Sequence, residues 1–165
     1  MNYRNCCNNG FDEIDSCNFR PRPNCCLEGP IGPQGPAGTN DVIYAGVGTS
    51  TVATDEVIPI ALINATPDTT MSVSNNAVNL ADAGTYIVSF SVDGSTTAEN
   101  LSATLYLNGA PITNESVIES SNGALASASK TALITTTGAS TLSIYNTSTA
   151  DATLNNASIM VLKTA

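Results

Sequence analysis

Glycine recurs at every third position from residue 29 to residue 38. The stretch reads Gly29-Pro30-Ile31, Gly32-Pro33-Gln34, Gly35-Pro36-Ala37 and then Gly38. Only glycine fits at the crowded axis of a collagen triple helix, and proline in the second slot presets the polyproline II backbone. A strand of this kind has no internal hydrogen bonds and gains them only beside two others, so the run predicts that three copies of the chain associate. The competing reading is a Pro/Gly-rich linker that falls into register. At ~3.1 Å per residue the stub would span roughly 30 Å.

The triplets divide the chain into a tail (1–28), a collagen-like stub (29–38) and a long domain (39–165). The tail carries all five cysteines, Cys6, Cys7, Cys17, Cys25 and Cys26, and few apolar residues. It cannot bury a core, so it is expected to be disordered or stapled covalently. The long domain sets two lysines against ten carboxylates, within a net charge of −9 for the whole chain. Such a head has no basic patch for nucleic acid or an anionic membrane, and no apolar run is long enough to span a bilayer. Residues 1–20 lack the apolar core of a secretory leader, although the cysteines suggest an oxidising destination. A protein made in a cytoplasm and exposed when that cell lyses reconciles the two. Histidine is absent, which removes His-based acid–base pairs, Ser-His-Asp and Cys-His nucleophile systems and His metal sites. No catalytic residue, cofactor or metal is assigned, and the chain is not expected to be an enzyme.

Residues 39–165 are patterned for strands. In Thr85–Val92, Tyr86, Val88, Phe90 and Val92 share one face and Ser89 and Ser91 the other, the alternation of a half-buried strand. Leu101–Leu107 and Thr141–Asn146 alternate likewise, and Asn108-Gly109 supplies a hairpin turn. Ser158–Lys163 is apolar on both faces, with Ile159 and Val161 on one and Met160 and Leu162 on the other. Weaker strands are expected near Val42–Val47, Glu56–Ala61, Thr70–Ser74, Ala77–Leu80, Ser116–Ser120 and Leu125–Thr137. Turns are expected at Asp82-Ala83-Gly84, Asp93-Gly94, Ser121-Asn122-Gly123 and Gly138. No helical stripe of useful length occurs. About ten short strands predict an all-β jelly-roll sandwich. Tyr86, Phe90 and the two-sided strand Ile159, Met160, Val161, Leu162 are the candidates for a trimer interface. Burial of that strand inside one subunit is the alternative.

The segments Ala83–Phe90, Leu105–Gly109, Thr141–Ser148 and Ala157–Lys163, in this order behind the triplets, resemble the C-terminal head of Bacillus collagen-like (BclA-like) exosporium proteins. The resemblance covers about residues 40–165 and the stub. It implies a jelly roll of the tumour-necrosis-factor and complement-head type, tight homotrimers, and a place on the spore surface after synthesis in the mother cell. Family stalks are long and rich in Gly-Pro-Thr, whereas this stub has three triplets and no threonine within them. The vicinal cysteines instead resemble the N-terminal connectors of endospore appendage subunits.

Adjacent cysteines bridge one another only in a strained ring, so Cys6/Cys7 and Cys25/Cys26 are expected to reach different partners. Five cysteines per chain give an odd total in a trimer, leaving at least one free or bonded outside it. Crosslinking of trimers into a larger assembly is the leading expectation; a cysteine-only zinc site and free thiols are the others. Five Asn-x-Ser/Thr sequons occur, at Asn64, Asn100, Asn114, Asn146 and Asn156, a number close to chance in a chain this rich in those residues. Asp55-Glu56 and Asp93 are candidate calcium ligands whose ordinary reading is solvated loop carboxylates. Tyr44, Tyr86, Tyr106 and Tyr145 read as core or interface aromatics rather than a ligand platform. Two functions compete. One is a structural trimer of a spore surface, exosporium or appendage, anchored by disulfides. The other is a soluble trimeric lectin- or adhesin-like module, which would tolerate loss of residues 1–28.

Overall fold

The computed structural model describes residues 41–164, so the cysteine tail and the collagen triplets lie outside the described residues. Those described form eleven strands: β1 Val42–Val47, β2 Ser50–Val52, β3 Ala61–Ala65, β4 Ser72–Ser74, β5 Ala77–Leu80, β6 Gly84–Thr96, β7 Asn100–Leu107, β8 Ala110–Ser120, β9 Ala126–Thr136, β10 Ser140–Asn146 and β11 Ala152–Lys163. They make two antiparallel sheets. The first has the order β3-β1-β11-β6-β9, with β2 also paired to β11, and the second the order β4-β5-β10-β7-β8. The all-β jelly-roll sandwich expected from the alternating pattern is therefore found.

One face of each sheet fills the core. Tyr86, Val88, Phe90 and Val92 of β6, with Ile159 and Val161 of β11, lie against Leu101 and Leu105 of β7, Leu142 and Ile144 of β10, and Val78 and Leu80 of β5. Each fully buried aliphatic or phenyl side chain contributes about 1.5–3 kcal/mol relative to exposure, so these alternating rows determine which way every strand faces. Asn108-Gly109 closes the β7–β8 hairpin with φ values of 52° and 78°, the left-handed pair that matches strand twist. Asn75-Asn76 does the same between β4 and β5, with φ of 52° and 61°, a turn without a glycine to mark it in the sequence.

Two expected features move. The strand near Glu56–Ala61 is reduced to a single bridge between Val57 and Tyr145, and β3 begins only at Ala61. Asp93-Gly94 is no turn. It continues β6, where Gly94 pairs with Ala126 of β9 and Leu154 of β11. The glycine is needed for a close approach: an added Cβ would stand 2.5 Å from the Thr153 carbonyl oxygen and 2.9 Å from Leu154 Cα. This is where the β6–β11 register shifts between Leu154 and Asn156, a bulge of the kind that bends a strand. Gly94→Ala is expected to lower stability by about 3 kcal/mol, because backbone rather than a flexible side chain must move. The control Gly138→Ala adds its methyl where nothing lies within 4 Å, and urea unfolding of the two variants will separate clash from glycine loss.

Candidate functional site: the outer face of the first sheet

The strand alternation that fills the core turns a second set of side chains outward from the first sheet, and the register aligns them in rows. Val42 lies opposite Leu162, Leu162 opposite Ile87, and Ile87 opposite Leu133. Four adjacent strands thus place four aliphatic side chains side by side over three strand spacings, about 14 Å. Leu133 is 68% exposed. The next row is mixed: Tyr44, Met160, Ser89 and Thr131. Met160 is 40% exposed. On the flanking strand β3, Leu62 and Ile63 are exposed, and Ile63 lies over Gly46, its Cδ1 3.1 Å from where a Cβ would stand.

Farther along the strands the face becomes polar. Ser91, Ser158 and Ser129 align in a row with Gly46. The Ser91 and Ser158 hydroxyls are 3.0 Å apart and those of Ser89 and Thr131 are 2.7 Å apart. These residues and Met160 line a shallow concavity of ≈ 360 Å³. Beyond it, Asp93 accepts hydrogen bonds from Ser127 Oγ and Asn156 Nδ2. Among the described residues no group of three or more His, Cys, Asp or Glu converges, and Asp93 sits on the first sheet while Asp55 bonds to β10 of the second.

The apolar end is tied down by Asp82. Its carboxylate accepts from Lys163 Nζ at 3.0 Å and from Thr70 Oγ1 at 2.8 Å, while its carbonyl accepts from the Tyr86 hydroxyl at 2.8 Å. The lysine hydrogen bond, then the threonine, holds the Asp82 carboxyl below its ordinary 3.8, and the same bond holds the Lys163 amine above 10.5. The signs fix a window. A depressed carboxyl adds stability that is present above its unfolded value and lost as pH falls through the folded one; a raised amine adds stability that is lost as pH rises through its folded value. The stability difference between the wild type and Asp82→Asn is therefore expected to be flat between about pH 5 and 9 and to shrink below pH ~4. Thermal melts at stepped pH measure it. The other lysine, Lys130, pairs with Glu115 at 3.5 Å and donates to the Asn114 carbonyl, joining β9 at the edge of one sheet to β8 at the edge of the other.

The expected interface set divides. Tyr86, Phe90, Ile159 and Val161 are at most 2% exposed inside their own chain, and a side chain enclosed by its own core cannot also contact a second subunit. Met160 and Leu162 face outward. Val42, Ile87 and Leu133 join them but had no signal of their own, because cross-strand register gathers them. Of the tyrosines, Tyr86 is core and Tyr44 lies on this face, whereas Tyr106 and Tyr145 stack on the outer face of the second sheet, neither core nor part of this face. Asn146, one of the five sequons, is 1% exposed and is no acceptor for a bulky sugar. No helix of the described residues is long and apolar enough to cross a membrane.

No protein-family model matches the chain, and no curated protein matches it. Solved structures do. Murine APRIL at pH 8.5 superposes with a TM-score of 0.63 at 14% identity, over 76% of this chain and 99% of that one. Eiger TNF from S. frugiperda gives 0.63 at 17%, over 77% and 94%. The globular domain of zebrafish complement 1qA protein gives 0.56 at 12%, over 73% and 94%. The head has the jelly-roll fold of TNF-like and C1q-like domains, as its resemblance to exosporium heads implied.

Proposed function

We propose that the chain is the subunit of a homotrimeric, non-catalytic surface protein whose head associates through the outer face of the first sheet. The observation that carries this is the unbroken apolar row Val42, Leu162, Ile87 and Leu133, flanked by Met160 and Tyr44. A contiguous apolar patch on an otherwise Ser- and Thr-rich surface marks an interaction site. Two further facts support a threefold partner: the fold shared with TNF-like and C1q-like heads, and the in-frame triplets. Val42 is also the first residue of β1, so the row lies at the end of the sheet where the chain enters the head. Association there would bring three entering chains together and raise the effective concentration of their triplets. A three-triplet strand gains too few interchain bonds to offset an ordering cost of ~1–2 kcal/mol per residue by itself.

In this reading Cys6, Cys7, Cys17, Cys25 and Cys26 crosslink trimers to a larger assembly. Display on a spore surface, exosporium or appendage rests on the sequence resemblance. Light scattering on the full chain is the test. With reductant the mass is expected at three times that of the chain, and on oxidation it should grow further. A monomer under reducing conditions would overturn the trimer, and an unchanged mass on oxidation would overturn the crosslinking tail.

A further inference from the structure

The second sheet presents a different outer face. Its rows, read across β10, β7 and β8, are Ser143, Tyr106 and Pro111, then Tyr145, Thr104 and Ser116, then Ser102 opposite Ile118. Tyr106 and Tyr145 stack with ring centroids 4.1 Å apart at 26°. From them a chain of hydroxyls runs along the sheet: Ser116 to Thr104 at 2.9 Å, Thr104 to Thr147 at 3.0 Å, and Thr147 to Ser102 at 2.9 Å. The chain ends in a concavity of ≈ 260 Å³ lined by Glu99, Asn100, Ser102, Ile118, Thr147 and Thr149. Ile118 is 62% exposed at its edge. Among the described residues the Glu99 carboxylate has no ion-pair partner.

This concavity is pre-organised from below. Asn146, buried, donates from Nδ2 to the Val52 and Ala53 carbonyls at 2.9 and 3.1 Å, and its Oδ1 accepts from Ser148 N–H at 3.1 Å. Ser148 Oγ in turn accepts from Ser102 N–H at 2.9 Å. The loop that carries Thr147 and Thr149 is thus pinned to the core, which lowers the entropy lost on binding.

We propose that this concavity binds a neutral saccharide. A sugar ring has an apolar C–H face and a rim of hydroxyls. Ile118 offers an apolar wall, and Glu99, Asn100 and the Ser/Thr hydroxyls offer convergent acceptors and donors, the composition of a small-ligand site. Charge selects the class. Two lysines against ten carboxylates in residues 39–165, and Glu99 in the groove itself, repel acidic polymers. The groove lies on the sheet opposite the proposed trimer contact, so the inference stands without that contact, and a trimer would add avidity from three copies.

The test is an amide NMR titration of the full chain under reducing conditions with cellotetraose and with chitotetraose, and with tetragalacturonate as the acidic control. Binding of at least one neutral probe is expected, with shifts confined to residues 99–102, 118 and 147–149. Ile118→Ser should weaken it about tenfold. Because that variant also changes a strand residue of β8, Glu99→Gln, on an exposed side chain, is the second: affinity falls while the melting temperature holds. No shift with either neutral probe at ~10 mM, where a Kd of 1 mM is largely saturated, overturns the proposal. So does equal binding of tetragalacturonate, or a set of shifts on the first sheet.

Discussion

Leu162→Asp is expected to turn the proposed trimer of the reduced chain into folded monomers. Leu162 sits in the centre of the apolar row, between Val42 and Ile87, with its side chain on the outer face. An aspartate there loses only lateral apolar contact within its own sheet, about 1 kcal/mol. Across a subunit contact it buries an uncompensated charge, at several kcal/mol per copy, and a loss of ~4 kcal/mol already weakens association about a thousandfold. The neighbouring substitution Val161→Asp is the control that separates the faces. Val161 is fully enclosed, so its aspartate should unfold the head rather than dissociate it. Light scattering for mass and circular dichroism for folding read both. A Leu162→Asp chain that remains trimeric would remove the first sheet as the contact.

The largest stability loss from a polar side chain is expected at Asn146. Its amide satisfies two carbonyls, at Val52 and Ala53, and one N–H, at Ser148. Asn146→Ala leaves the Val52 carbonyl and the Ser148 N–H without this partner at a buried site, while the Ala53 carbonyl keeps the Glu56 N–H at 3.2 Å, and each buried unpaired group costs about 1–3 kcal/mol. The variant should lose about 3–5 kcal/mol in urea unfolding, with an unchanged m-value. Asn146→Asp should be no better, since a carboxylate cannot donate to the two carbonyls. A loss under ~1 kcal/mol would mean that water replaces the amide with little penalty.

Strand identity was legible wherever one face is buried and the other is not. Thr85–Val92 declares its inner face through Tyr86, Val88, Phe90 and Val92, all of which are buried. Ser158–Lys163 was harder. Period two shows two apolar faces but not which one is the core, and that is decided by pairing with β1 and β6. The candidate site is a product of register, so Val42, Ile87 and Leu133 carry no local mark. Gly94 misled for a similar reason: Asp-Gly is a turn pair when only neighbours in sequence are seen, yet here the missing side chain makes room for Thr153, distant in the chain. Asn146 likewise reads as a sequon, and its structural work appears only when residues 52 and 53 arrive beside it.

The three arginines all precede residue 23, and Lys130 and Lys163 are the only lysines. Within the head both lysines lie in hydrogen-bonded strands, each paired with a carboxylate, Lys130 in the seam between the sheets and Lys163 at the end of β11. A trypsin-like protease needs an extended, unpaired segment around its target, and among the described residues the folded head has none to give at either lysine. Its cleavage by such an enzyme would then scale with the population of the opened state.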